Sequence, residues 1–491
     1  MSLKIGTAGD HQPERVIQFG EGNFLRAFVD WMFHRMNQKG MFNGRVVVVQ
    51  PLKDGLIGKL NEQDGLYTLI LRGISNGQVQ AREEIISSIS RGINLYTDWA
   101  EYLRCAENPD IEFVVSNTTE AGIEYNQDDR PDYCPPASFP AKLAVYLYHR
   151  FQHFGGDPQK GMVILPCELI DRNGDNLKRI ILRLAQDWGW PAEFQAWVEK
   201  HNHFLNTLVD RVVTGYPRDE VAELNNHLGY EDQLLDTGEL FHLWVIEGPQ
   251  ELQARLPLAQ AGLNVVWTDD ISPYRTRKVR ILNGAHTACV PVAFLYGLDT
   301  VGQMIEHPVL GQFTKDVIYE EIIPSVDLDE KMLHEFAGAV IERFQNPYIK
   351  HYLISILLNS TTKFKTRVLP SLLGSIEATG KIPERIGFSL ASLIALYRGE
   401  VEGAVMKCRR EQGEFTLQDD LAALNLMAKV WAECDDSEQG VLALVRQVLS
   451  ESALWGQNLD AVPGLSEKVA GNLAAILQAG VKDALRTVMS K

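Results

Sequence analysis

No uninterrupted apolar run in this 491-residue sequence has the length of a bilayer-spanning helix, so the composition predicts a soluble protein. The opening residues, MSLKIGTAGDHQPER, hold no apolar core of signal-peptide length, and the expected location is the cytoplasm. The six cysteines (Cys105, Cys134, Cys167, Cys289, Cys408 and Cys434) are scattered and include no CxxC pair. That pattern speaks for free thiols and against a disulfide framework, and nothing in it has metal-ligand spacing, so no metal is expected. Basic residues are in deficit, 47 against 64 acidic ones, for a net charge of −17. Such a chain repels phosphate backbones and anionic lipid heads, so neither nucleic acid nor a membrane is an expected partner. Internal repeats and low-complexity tracts are also missing. Monomer and homodimer stay equally open.

What is present is an ordinary globular composition, 45% hydrophobic and 23% charged, in a chain longer than one core usually spans. The first half alternates strand-like and helix-like segments. RVIQFG (15–20) reads as a buried strand, residues 22–40 as a helix closed by Gly40, and RVVVVQP (45–51) as a strand buried on both faces. Further strands are expected at 67–73, 81–90, 111–122 and 161–169, with helices at 94–106, 139–156 and 176–189. From about residue 270 strand signals thin out, and helical periods follow at 276–297, 328–344, 347–359, 386–398, 419–432, 440–452 and 466–488. The expected fold class is α/β: a Rossmann-like, doubly wound N-terminal domain (1–269) followed by a mainly α-helical C-terminal domain (270–491).

The first strand runs into QFGEGNFLRAF, which places Gly20 and Gly22 at a helix start. Glycines there let a backbone approach a pyrophosphate, and the helix N-terminus offers free N–H groups to it. Gly20, Gly22, Asn23 and Phe24 are the candidate cofactor contacts. The GxGxxG fingerprint is incomplete, since Leu25 takes the third position, and a plain strand-to-helix turn is the competing reading. Asn117 and Thr118, in the polar loop SNTTEAG, are candidates for the nicotinamide ribose; Ser, Asn and Thr also simply favour turns. The acidic residue expected after the second strand is missing: Gln50, Pro51 and Lys53 stand there, which leaves NADPH open beside NADH, with Lys53 facing the extra phosphate.

YRTRKVRILNGAHTAC (274–289) mixes basic and polar residues into an apolar run. At about 100° per residue with Lys278 at zero, Asn283 falls near ~140°, His286 near ~80° and Arg275 near ~60°. All lie on one arc, which suits a cleft wall or a surface helix with snorkelling bases. As chemistry the arc fits carbonyl reduction. Hydride arrival makes an alkoxide, for which Lys278 would supply the proton, Asn283 a donor and His286 orientation or a relay, with Gly284 admitting the ligand to the backbone. Arg275, Arg277 and Arg280 would lower the lysine's pKa.

These residues resemble the long-chain mannitol dehydrogenase family, polyol and hexuronate oxidoreductases that work without catalytic zinc. The family's K-x4-N-x2-H signature is met by Lys278, Asn283 and His286, and its glycine loop by GEGNFLRAF. NTLVDR (206–211), RFQNPYIKH (343–351) and TKFKTRVLP (362–370) agree as well. The resemblance covers essentially the whole chain. It implies a dinucleotide domain and a helical domain with the active site in the cleft between them. It also implies an NAD(H) cofactor, Lys278 as general acid/base, Asn283 as oxyanion donor, His286 as a positioning residue and Asp210 as a supporting polar group. RVVTGYPRDEV and YEEIIPSVDL point to the hexuronate branch. Two positions depart from the polyol enzymes: Arg275 replaces an acidic residue, and Leu169 an asparagine. Arginine pairs with carboxylate through two parallel hydrogen bonds, so Arg275, Lys363 and Arg367 are the candidates for holding a hexuronate carboxylate. The alternatives are a different keto-hexuronate, a hexitol, or a sensor of nucleotide or sugar acid on the same fold.

Overall fold

The structure, a computed structural model, describes residues 12–75, 77–118 and 122–490. The chain divides between Ser272 and Pro273 into two compact units, with Ile74–Gly77 grouped with the second.

In the first unit β1 (Glu14–Phe19), β2 (Arg45–Gln50), β3 (Ile89–Asn94), β4 (Phe113–Ser116), β5 (Val163–Pro166) and β6 (His203–Phe204) form one sheet. Their order is β3-β2-β1-β4-β5-β6, and all pairings are parallel. The valine run of β2 explains itself here. Val46 and Val48 enter a core with Val16, Phe28 and Met32, while Val47 and Val49 enter another with Ile17, Tyr146 and Leu184. With both faces covered, the strand has no need of polar alternation. The order reverses between β1 and β4, where Phe19 faces Ser116, and a doubly wound sheet binds ligands at such a switch point. The expected α/β class, with helices dominating the second unit, is what the structure has.

The helix after β1 opens as Asn23–Leu25, widens to a π-helical turn at Arg26–Asp30 and resumes as Trp31–Gln38. It buries Leu25, Phe28, Val29, Met32 and Met36, the residues of the apolar period. One reading shifts. The strand expected at 81–90 ends at Ile86, and β3 begins at Ile89. The Ser88 hydroxyl donates to the Asp30 carbonyl and its own carbonyl accepts from the Val46 amide, which turns the chain into the large sheet.

Asp30 is fully buried, with Gln18 donating to its Oδ2 at 3.0 Å. Burial pushes its carboxyl up to about 7, against the hydrogen bond from Gln18 and the charge of Arg26. A folded-state pKa raised above the unfolded 3.8 stabilises at low pH, and that contribution is lost as pH rises toward 7. Replacing Asp30 with Asn removes the loss. The variant melts higher than the wild type at about pH 8, by up to a few kcal/mol, and the gap closes near pH ~4. Thermal melts across that range check it.

In the second unit the Gly284–Tyr296 helix packs against Glu384–Leu396, which packs in turn against Leu465–Met489. Two expectations fail. The helix read over 347–359 is helical only at Leu353–Ile356. Its first half pairs with a neighbouring segment: the Val301 amide donates to the His351 carbonyl, and Thr300 bridges Tyr352. Secondly, Gly399–Glu402, Val405–Arg410 and Gly413–Leu417 form a small antiparallel sheet in a region where strand signals thin out and none of these strands is expected. Alternation of buried Met406 and Cys408 with exposed Lys407 and Arg409 carries its signal.

Candidate functional site

The carboxyl ends of β1 and β4 meet at the glycine loop. Gly20 has φ +119°, and its amide donates to the Val49 carbonyl. A Cβ on Gly20 would stand 3.0 Å from the Asn117 carbonyl oxygen and 3.3 Å from Leu25 Cδ1. Close packing of the loop against β4 therefore requires glycine. Gly22 differs. It precedes the helix with φ −67°, no side chain caps the N-terminus, and a Cβ there would meet nothing within 4 Å. Glycine at this point keeps space open in front of the first amides of a helix, which fits an anionic group. Glu21, between them, turns away to accept a hydrogen bond from the Leu56 amide; its carboxyl is raised by burial. Gly55 lies so close that a Cβ there would collide with the Glu21 carboxylate.

The remaining candidates of this unit have structural duties. Asn23 Oδ1 accepts from Arg26 Nη2 at 2.6 Å, and Phe24 stacks on Phe28 with ring centroids 5.1 Å apart. Asn117 Nδ2 donates to the Cys167 carbonyl at 2.7 Å. The amide and hydroxyl of Thr118 both donate to Glu168 Oε1 at 3.0 Å. Glu168 is 2% exposed; burial raises its carboxyl despite these bonds. Asn173 ties the same loops by donating to the carbonyls of Pro166, Glu168 and Thr207. Asp210 is buried at the end of the Asn206–Asp210 strand. Where an acid would face an adenosine ribose, Gln50 instead donates to the carbonyls of Leu52 and Lys53 and so folds its own loop. Lys53 is exposed.

Beside the switch point lies a pocket of about 650 Å³, lined among others by Pro51, Leu52, Thr118, Tyr125, Phe139 and Lys142. It sits outside the carboxyl ends of β2 and β4, and its size suits a nucleoside. Lys142 is 1% exposed, and Nζ donates to the Ala137 carbonyl. Burial pulls its pKa down to about 8, against the attraction of Asp129. The sequence reading passed over Lys142, although a lone lysine in FPAKLAVYLYH was a visible irregularity.

In the second unit the helix of interest is not uniform. Ser272–Arg277 is α-helical, Lys278–Asn283 is π-helical, and Gly284–Tyr296 is α-helical again. The Gly284 amide bonds to the carbonyl of Val279, five residues back. The wheel at about 100° per residue therefore fails across this turn. A π-turn holds an extra residue, so Lys278 and Asn283, five apart, come one above the other, and His286 follows three residues on along the same side. The result is one column, where uniform α geometry spreads them over a broad arc. The open space expected at Gly284 is filled: a Cβ there would stand 3.3 Å from the Arg367 carbonyl oxygen. Arg280 is committed to Ser371 and Ser325, at 2.9 and 3.1 Å, and Arg277 lies over the Phe336 ring at 4.5 Å. Arg275 is exposed.

The His286 ring stacks on Phe344 (4.3 Å, 22°) and meets His351 edge-on (5.2 Å, 79°); Nε2 is buried and accepts or donates no hydrogen bond. Burial pushes the imidazole well below its ordinary 6.5, and the charges of His351, Arg343, Arg367 and Lys363 act in the same direction. His286 is thus a neutral ring near neutral pH, suited to hydrogen bonding and unsuited to carrying a proton. Lys363 and Arg367, two of the sequence candidates, belong to its surroundings; Arg275 is not among the charges that weigh most on it. Arg343 and His351, the two ends of RFQNPYIKH, also act on it, and sequence spacing does not show this. Among the described residues no three of His, Cys, Asp and Glu are grouped to hold a metal ion, and no helix is long and apolar enough to cross a membrane.

Comparison with known proteins agrees with this architecture. The family model of the mannitol dehydrogenase Rossmann domain matches residues 14–260, and that of the mannitol dehydrogenase C-terminal domain matches residues 270–477. Altronate oxidoreductases of Escherichia coli O6:K15:H31 and Shigella flexneri are each 50% identical over 479 residues, 97% of this chain and of theirs. Among solved structures, a D-sorbitol dehydrogenase in substrate-free form superposes with TM-score 0.81 at 22% identity, covering 98% of this chain and 96% of its own. Pseudomonas fluorescens mannitol 2-dehydrogenase, in a ternary complex with NAD and D-mannitol, does so with TM-score 0.69 at 20% identity, covering 98% and 95%. The chain belongs to the mannitol dehydrogenase family, oxidoreductases that act on CH–OH groups.

Proposed function

We propose that the protein is an NAD(H)-dependent reductase of a keto-hexuronate that interconverts tagaturonate and altronate. The observation that carries this reading is the 50% identity, along nearly the whole chain, to altronate oxidoreductases. Arg343, Lys363 and Arg367 around His286 support it, because a sugar acid brings a carboxylate that a hexitol lacks.

The uncapped helix start behind Gly22 would hold the pyrophosphate, and the pocket of Lys142 the adenosine. NADH supplies the hydride when bound. At the ketone, Lys278 donates the proton that the new alkoxide requires and takes it back in the reverse direction. Asn283, one π-turn above, offers its amide to the charge developing on that oxygen, and His286 orients the substrate as a neutral imidazole. Asp210 supports the polar environment of the reaction, and Arg275, Lys363 and Arg367 bear on the carboxylate. NADPH is the competing cofactor, since Lys53 is exposed on the loop where NAD-specific folds place an acid.

Loss of NADH absorbance on adding tagaturonate tests the reading; binding of both without turnover would make the protein a sensor. Greater activity on fructuronate or on fructose would move the assignment within the family. For the nucleotide pocket, Lys142→Met weakens AMP binding about tenfold by calorimetry, the worth of one charge-assisted hydrogen bond. An unchanged AMP affinity places the adenosine elsewhere.

A further inference from the structure

Gln18 is fully buried in β1 between Ile17 and Phe19, where a strand covered on both faces has no use for an amide. Its Nε2 donates to the Gly20 carbonyl at 3.1 Å and to Asp30 Oδ2 at 3.0 Å. A carbonyl can only accept, so the amide atom beside Gly20 must be the nitrogen. This orientation leaves Gln18 Oε1 and Asp30 Oδ1 buried without a hydrogen bond, at a cost in stability. The next carbonyl of the loop is held from the other flank, where Arg26 Nε donates to Glu21 O at 3.2 Å. Arg26 is buried and fixed by the Leu234 carbonyl, by Asn23 Oδ1 and by Asp236 at 3.7 Å. Asp30 is fixed in turn, since Ser88 donates to its carbonyl at 2.8 Å. Both carbonyls of the Gly20–Glu21 turn are thus drawn to buried side-chain donors.

Packing alone does not require these contacts. Gly20 has φ +119° and no Cβ, so the peptide that follows it rotates readily unless something holds it. An anion before the helix start is attracted by N–H groups and repelled by carbonyl oxygens. In a trans peptide the N–H points opposite to the carbonyl. Drawing Glu21 O to Arg26 therefore turns the Gly22 N–H away from the buried guanidinium, and Gly22 itself is exposed. We propose that Gln18 and Arg26 are positioning residues of the cofactor loop. They hold the carbonyls of Gly20 and Glu21 away from the pyrophosphate, and Asp30 keeps the Gln18 amide aimed. This role rests on the dinucleotide reading above and deepens it by naming the groups that shape the phosphate ground.

The test uses ADP-ribose, which carries the pyrophosphate, and adenosine, which has none. They are titrated into the full-length protein by calorimetry and by ligand-observed NMR respectively. In Gln18→Met, which keeps the volume and removes the N–H donor, ADP-ribose affinity falls about tenfold or more while adenosine affinity stays within about twofold. Asp30→Asn retains an acceptor for the Gln18 amide and binds ADP-ribose within about twofold of wild type. Gln18→Asn keeps a buried amide but falls one methylene short of its partners; it reads the same contrast if Gln18→Met does not fold. Equal losses on both ligands mean a structural role and overturn the proposal, as does an unchanged ADP-ribose affinity. A wild-type protein that binds no ADP-ribose sinks the underlying reading; a wild type that binds it, with Gln18 variants that keep its affinity, sinks the positioning role alone.

Discussion

Replacing Lys278 with alanine lowers kcat by roughly 100- to 10,000-fold and leaves NADH affinity within about twofold. The size follows from what a positioned acid contributes to proton transfer. The separation of effects follows from location, since Lys278 is carried by the second unit and the glycine loop by the first. Other groups are poor substitutes. Asn283 has no proton to give, and burial and surrounding cations keep His286 neutral. Arg280 is fixed by two serines. Stopped-flow turnover with a parallel NADH titration checks both halves. Full activity in the alanine variant refutes the lysine mechanism, and a collapse of NADH binding assigns Lys278 to the cofactor.

Gly20→Ala and Gly22→Ala form the second large contrast. At Gly20 a side chain combines φ +119° with a 3.0 Å approach to the Asn117 carbonyl. Strain of about 1–3 kcal/mol follows, together with displacement of the loop. The variant loses stability and at least tenfold in NADH affinity. At Gly22 the backbone is ordinary and the space is empty, so alanine leaves melting almost unchanged. Its methyl then enters the ground reserved for the phosphates, and NADH affinity falls without a stability change. Melting curves and NADH fluorescence titrations separate the two. Equal NADH affinity in Gly22→Ala and wild type takes the pyrophosphate away from this helix start.

The doubly wound sheet was legible because its physics is local. Four valines in a row suit only a strand covered on both sides, and each strand ran into a glycine or polar loop. The helical unit was legible by period, yet period failed in two ways. Residues 347–359 carry an apolar rhythm, but Asn346 and Pro347 start a turn, and the backbone of His351 and Leu353 pairs with Asp299–Val301. The alternation in Val405–Arg410 was short and charged on its outer face, and long helices around it masked it.

Within the candidate site, the sequence put Lys278, Asn283 and His286 on one helix but could not show the π-turn. A helical wheel assumes a constant pitch, and the π-turn of Lys278–Asn283 adds a residue to one turn. Gly284 read as an approach for ligand, whereas the approach belongs to the Arg367 backbone. Arg343 and His351 were unreadable as partners, because only tertiary packing brings the ends of distant segments to His286. Lys142 stood out in its helix, but a lysine on an amphipathic helix reads as surface, and the pocket beside it is made by the folding of the loops at Pro51–Leu52 and just before the helix, which the sequence does not show.

The central claim is that this chain reduces an acid sugar at its ketone. The most direct measurement is the initial rate of NADH oxidation by the purified protein with tagaturonate, fructuronate, tagatose and fructose under one condition. The account predicts the highest kcat/KM for tagaturonate, with both neutral ketoses far behind. A neutral ketose turned over as well as or better than either uronate would contradict it.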